Sequence, residues 1–296
     1  MVLERSAGYP TKFNILGLIN YRYNILGILL LVLFISHAIN GQWVGDFWEH
    51  SAVVRELSTA PLNPKHSQLL LDVPQPLYSP YSLGVALISR IMGIDAITAL
   101  SIAGIINLLF FLISLKLFVS SLFPKYAEAT SFYTLVFTLL LWGQEINPWD
   151  WSGFFHLKVL GYVLPYPSTF TISLVFTEFY VYIALIKSRN HLWYFPVFGL
   201  ATVILISHPF SFIPLCIGLA AITLGFGRFP LREFAALLLL LFAVLIFAAL
   251  WPYYPLIQLF LKESYAYNAT HIAMYQHVVK RILPSLIGIP SLLFDN

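Results

Sequence analysis

The chain has 296 residues, of which 59% are hydrophobic and only 10% charged, with a formal net charge of +3 and a mean hydropathy of +0.82. A soluble domain carries roughly a quarter charged residues, so this composition excludes one and describes an integral membrane protein. A single cysteine, Cys216, excludes a disulfide framework or a Cys-rich metal site, and the small charge excess gives no sign of nucleic-acid binding.

The polar, mildly basic stretch 1–24 contains Arg5, Lys12 and Arg22 and precedes a first apolar span around Ile25 to Ala38. That span is long and lacks a small-residue cleavage pattern, so it reads as retained rather than removed. Basic residues favour the cytoplasmic side, which places the N-terminus inside and Asp46 outside. The segment from Gly45 to Leu57 then reads as a short amphipathic helix at the membrane surface, with Asp46, Glu49 and His50 on one face. It opens a long first outer loop, 42–81, punctuated by Pro61, Pro64, Pro74, Pro76 and Pro80, which predict extended, turn-rich structure. Leu83 to Met92 is too short to cross a bilayer and is expected in or on the outer leaflet.

Further spans are predicted at Ile97 to Val119, Phe132 to Trp142, Phe170 to Ile186, Leu192 to Ser207, Phe210 to Phe226 and Phe234 to Trp251. The apolar piece Ile282 to Phe294 is a candidate eighth, by the rule of about 20 residues per crossing. The expectation is therefore an all-α, polytopic helical bundle of about seven to eight transmembrane helices, forming one membrane-embedded domain over 1–296. The stretch that ends at Asn296 is expected to be the N-terminal part of a longer architecture. Lys116, Lys125, Lys187, Arg189, Arg228 and Arg232 all fall on the inner side of this arrangement, as the positive-inside rule requires.

Asp46 and Glu49 are the leading catalytic candidates. A carboxylate where a span meets water is costly to keep near lipid, and one facing a cavity can act as a general base toward an acceptor hydroxyl. The same two residues also match a helix capping box, with Asp46 as the cap and Glu49 three positions on, and both readings stand. His50 could orient an acceptor or, with the two acids, ligate a divalent metal. Lys65, His66, Tyr78, Arg90, Lys158 and His208 are the candidate substrate-binding residues; the cations among them could hold a phosphate by charge-assisted bonds, or simply snorkel to the interface. Glu145, Asp150 and His156 add a second outer cluster without a fixed metal-ligand spacing, and Asn268-Ala269-Thr270 is a glycosylation sequon on a third outer loop. Glu178 lies inside a span, with Tyr180 and Tyr182 as expected partners. Walker, dinucleotide and nucleophile-elbow motifs are absent from the sequence, which disfavours soluble nucleotide-driven chemistry.

The pattern Gly45-Asp46, His50-Ser51-Ala52, Arg55-Glu56-Leu57, Pro61 and Pro64 resembles the GT-C superfamily of membrane glycosyltransferases, and within it the protein O-mannosyltransferase and aminoarabinose transferase branch. That resemblance implies Asp46 as the base, a polyprenyl-phosphate-linked sugar as donor, a glycan, lipid or protein acceptor, inversion at the anomeric carbon, and a prokaryotic cell membrane. Two departures stand out: Phe47 occupies the place where the family often has a second acid, and the chain is short for the family. A transporter or lipid flippase, and a non-catalytic subunit of a membrane complex, are the rival expectations.

Overall fold

The computed structural model describes residues 21–41, 43, 45–70, 75–140, 155–227 and 229–256. Among these, every regular element is helical. The α-helices are α1 (Tyr21–Ile39), α2 (Phe47–Thr59), α3 (Pro80–Met92), α4 (Ala96–Leu122), α5 (Ala127–Leu140), α6 (Leu157–Val163), α7 (Pro167–Ser188), α8 (Tyr194–Ser207), α9 (Pro209–Phe226) and α10 (Pro230–Ala249). The predicted third outer loop, the sequon at Asn268, Glu145, Asp150 and the candidate eighth span all lie outside the described residues.

Local chemistry sets the boundaries. Asp95 starts α4 by accepting from the Ile97 and Thr98 amides at 2.9 and 3.0 Å, which satisfies donors that a first turn leaves free. Ser79 and Pro80 start α3, and Gly93 ends it in a left-handed conformation at φ 65°. Proline likewise opens α7, α9 and α10, where a missing N–H costs nothing.

Five helices, α1, α4, α7, α9 and α10, are long and apolar enough to cross a membrane, as in a multi-pass membrane protein. The expected spans at α5 and α8 have 14 residues each within the described set, short of the usual crossing length. The segment 42–81, expected as an outer loop, also differs from expectation: besides α2, its end at Pro80 is already helical, because Ser79 and Pro80 start α3 upstream of the apolar run.

Cross-contacts fix the directions. Phe110 packs on Phe170 and Phe118 on Phe176, so α4 and α7 run parallel. Thr171 meets Ser211 and Tyr182 meets Thr223, so α9 runs the same way. Tyr23 donates to the Leu112 carbonyl at 2.6 Å while Trp43 donates to Ser101 Oγ at 2.9 Å, so α1 is antiparallel to α4. The start of α7, the end of α8 and the α2–α3 segment therefore meet at one end of the bundle. One apolar cluster joins α1 to α6, a second joins α7 to α10, and Phe118, Phe170 and Phe176 belong to both. In lipid, apolar burial between helices adds little, so this interlocking of aromatic rings and the few polar pairs holds the helices together.

Tyrosine and tryptophan bonds tie the loops down at that end. Tyr81 donates to the Pro165 carbonyl at 2.7 Å, and Trp251 Nε1 donates to the Tyr78 carbonyl at 2.7 Å. Tyr253 donates to the Pro61 carbonyl and Tyr254 to that of Ile206. Asn107, buried within α4, donates both to Tyr81 Oη at 2.9 Å and to the Leu164 carbonyl at 2.8 Å.

Candidate functional site

Gly45 adopts φ +74°, a conformation that L side chains rarely take, and this turn delivers the chain into α2. Asp46 occupies the N-cap position, yet its side chain makes no capping hydrogen bond and is exposed. The expected capping box is thus not formed; only the Asp46 carbonyl takes part, accepting from the His50 amide at 3.0 Å. Its φ of −76° and ψ of 13° are near-helical rather than extended, which turns the carboxylate away from the free amides of the first turn.

The amides of Asp46 and Phe47 are instead engaged by Tyr166, whose phenol they hydrogen-bond. Tyr166 immediately precedes Pro167 at the head of α7 and its ring stacks on His50, with centroids 4.7 Å apart. Burial and the Asp46 charge raise its phenol above the ordinary range, against the opposing backbone bonds. His50 is buried at 8% exposure; burial holds its imidazole down to about 4, with the nearby His208 adding to the effect and Asp46 opposing it. His208 is itself lowered to about 4 by burial, and its Nδ1 lies 2.8 Å from Ser211 Oγ, which is 3.0 Å from Thr171 Oγ1. Glu49, half-buried, is raised by burial first and then by Asp46, with His66 opposing. Asp46, Glu49, His50, Tyr166 and His208 therefore form one electrostatic neighbourhood, built from a carboxylate pair and two neutral imidazoles.

Beside it runs a groove of about 500 Å³ between α1 and α4. Phe47 and Trp48, the two residues after Asp46, form part of its wall together with Ile39, Trp43, Ile102 and Ile105. Ser101 and Thr98 are the polar exceptions in this lining, and Ser101 accepts the Trp43 indole N–H.

The remaining sequence candidates are placed elsewhere or serve the scaffold. The Lys65 amide donates to Glu56 Oε1 at 2.9 Å, and its carbonyl accepts from Tyr78, whose ring is buried. His66 Nδ1 accepts from the Gln68 and Leu69 amides, closing a turn, although the imidazole still acts electrostatically on Glu49. Tyr78 is thus a loop fastener, because its hydroxyl is used within the loop. Arg90 is exposed in the last turn of α3. Lys158 belongs to α6, and its side chain lies outside the described residues. Among the described residues no group of three His, Cys, Asp or Glu is placed to hold a metal ion. The Tyr180 and Tyr182 partnership expected for Glu178 is not formed: Tyr182 pairs with Thr223 at 2.7 Å, and both Glu178 oxygens are buried without a hydrogen-bond partner among the described residues.

Tyr166 is the residue that sequence reasoning passed over. It was visible only as part of an aromatic stretch before a span, a pattern shared by many interfacial tyrosines. Comparisons with family models, with curated proteins and with solved structures find no match to this chain.

Proposed function

We propose that the chain is a GT-C-type membrane glycosyltransferase that moves a sugar from a polyprenyl-phosphate donor to an acceptor hydroxyl on the extracytoplasmic face. In this reading α1, α4, α5, α7, α8, α9 and α10 are seven spans, and α2 lies at the outer surface. The observation that carries the proposal is the uncommitted Asp46 carboxylate at the head of α2, next in sequence to the wall of an apolar groove. A lipid-linked donor is confined to the bilayer, so its sugar–phosphate bond must be met where an apolar track ends at a polar group.

Asp46 accepts the proton of the acceptor hydroxyl as that oxygen attacks the anomeric carbon. The bond from that carbon to the phosphate oxygen breaks, its electron pair leaves with the polyprenyl phosphate, and attack from the opposite face inverts the centre. Charge develops on the departing phosphate, where fixed hydrogen-bond donors act most strongly. Neutral His50 and His208 and the Tyr166 hydroxyl are the donors at hand, in place of the lysines and arginine expected from the sequence. The polyprenyl chain occupies the groove along Ile39, Trp43 and Ile102.

The test is transfer of radiolabelled sugar in membranes from a panel of polyprenyl-phosphate sugars, comparing wild type with Asp46→Asn. Because the side chain does not cap α2, the variant should accumulate normally while losing transfer. Equal activity of wild type and variant would remove Asp46 from the chemistry. A second reading, a transporter, draws on Glu178, a carboxyl buried in a span without a partner among the described residues. It predicts substrate uptake into vesicles that is lost in Glu178→Gln and kept in Asp46→Asn.

A further inference from the structure

Helix α3 has 13 residues, a length of about 20 Å at 1.5 Å per residue. That is well short of the roughly 30 Å hydrocarbon core of a bilayer. Its first turn touches α4 about three turns in, since Tyr81 Oη accepts from Asn107. Its last turn is joined to the start of α4 through Gly93, Ile94 and Asp95. The two helices form a tight antiparallel hairpin, in which α3 lies beside the first three turns of α4.

Helix α3 turns large aliphatics outward as well as inward, unlike a helix on a soluble protein. The face turned into the protein carries Tyr81, Ser82, Val85, Ala86 and Ser89, all buried. The face turned out carries Leu87, Ile88, Ile91 and Met92, with Ile91 at 82% exposure. Leu87, Ile88 and Ile91 share one stripe at helical spacing. Water selects the opposite arrangement, with the large aliphatics buried. Exposed aliphatics beside buried serines, Ser82 and Ser89, are how helices pack in lipid, where close backbone approach matters more than apolar burial.

Helix α4, joined to α3 by the hairpin turn, exposes aliphatics of its own at Ile106, Leu109 and Ile113. The hairpin turn between them carries the exposed Asp95 carboxylate, a group that belongs at the water side of the interface. Arg90, one turn before the hairpin on α3, is exposed and makes no ion pair among the described residues.

We propose that α3 is a half-span helix inserted into one leaflet, its Leu87–Ile88–Ile91 stripe covered by phospholipid acyl chains and Arg90 held by headgroup phosphate. The occupant is phospholipid, because the stripe belongs to one hairpin with the exposed aliphatics of the candidate span α4, and Arg90 is the one cation on α3. The assignment is independent of glycosyl transfer and stands or falls on its own measurement.

The full chain in a Cys216→Ala background takes single cysteines, in turn, at Leu87, Ile88, Ser89 and Ile91, with Arg55 as the water-exposed reference on α2. Each is labelled with a nitroxide in phosphatidylcholine–phosphatidylglycerol nanodiscs, and collision with oxygen is compared with collision with a water-soluble nickel chelate. Labels at 87, 88 and 91 should favour oxygen several-fold, the label at 89 should be shielded from both, and the label at 55 should favour nickel. This alternation requires a folded helix, so a misfolded variant cannot produce it. Nickel access at 88 and 91 equal to that at 55 would place the stripe in water and overturn the proposal. Shielding of 88 and 91 from both quenchers would show a protein cover and equally overturn it, with spin–spin broadening at 88 identifying a second copy as that cover.

Discussion

Asn107 makes the sharpest test of how the candidate site is positioned. Its amide sits inside a span and spends one hydrogen on Tyr81 Oη and one on the Leu164 carbonyl, at 2.9 and 2.8 Å. Tyr81 in turn holds the Pro165 carbonyl, so three bonds set the backbone directly ahead of Tyr166. Asn107→Leu keeps the approximate volume and deletes both amide bonds. At about 0.5–1.5 kcal/mol net per bond the loss is about 1–3 kcal/mol. Interhelical bonds in membrane proteins average about 0.6 kcal/mol each, which sets the lower end near 1 kcal/mol. With about 2–4 °C of melting temperature per kcal/mol for a chain of this size, the variant should melt about 2–12 °C below wild type in detergent. Tyr81→Phe removes the same contact from the other side, together with the bond to Pro165. The double variant should therefore fall short of the sum of the singles by about 0.5–1.5 kcal/mol. Strict additivity, or an unchanged melting temperature for Asn107→Leu, would refute the bonded knot and with it this account of how Tyr166 is held against α2.

Glu178→Leu should raise stability by about 1–3 kcal/mol, because it removes two buried oxygens that have no partner among the described residues; a lower melting temperature would show that a partner exists. A Cβ added at Gly218 would fall 2.1 Å from Phe179 Cζ, so Gly218→Ala should cost about 1–3 kcal/mol, with partial recovery when combined with Phe179→Leu. His50, held near 4 in the fold against about 6.5 unfolded, binds fewer protons when native. Its contribution is fully present above about pH 6.5 and is lost as pH falls toward 4, by up to ~3 kcal/mol. Melting curves at pH 7.5, 6 and 4.5 should show that decline in wild type and a shallower one in His50→Gln.

The positions of α1, α4, α7, α9 and α10 could be read from the chain, because a bilayer crossing demands a long uninterrupted apolar run that few other structures need. The amphipathic α2 and its acid at the head were legible for a similar reason: the apolar-to-polar switch at Gly45–Asp46 is local. Its details were not. A spacing of Asp46 and Glu49 that suits a capping box says nothing of the backbone angles at Asp46, and those angles turn the carboxylate away. Lys65 and His66 carry phosphate-binding chemistry in any sequence, but the fold uses their backbone groups and one ring nitrogen to fasten a loop. Arg90 is exposed in the last turn of α3 and makes no ion pair among the described residues, so its charge is not spent on the fold.

What the sequence by itself determined is the class of solvent and the helices that solvent requires. Local periodicity and charge suffice for that, since lipid forces every span to satisfy its own backbone. Only the tertiary structure decided which side chains meet. Tyr166 stacks on His50, and His208 comes near it, through contacts between residues more than a hundred positions apart. Packing of α7 and α8 against the α2–α3 segment creates those contacts, and no one-dimensional pattern records them.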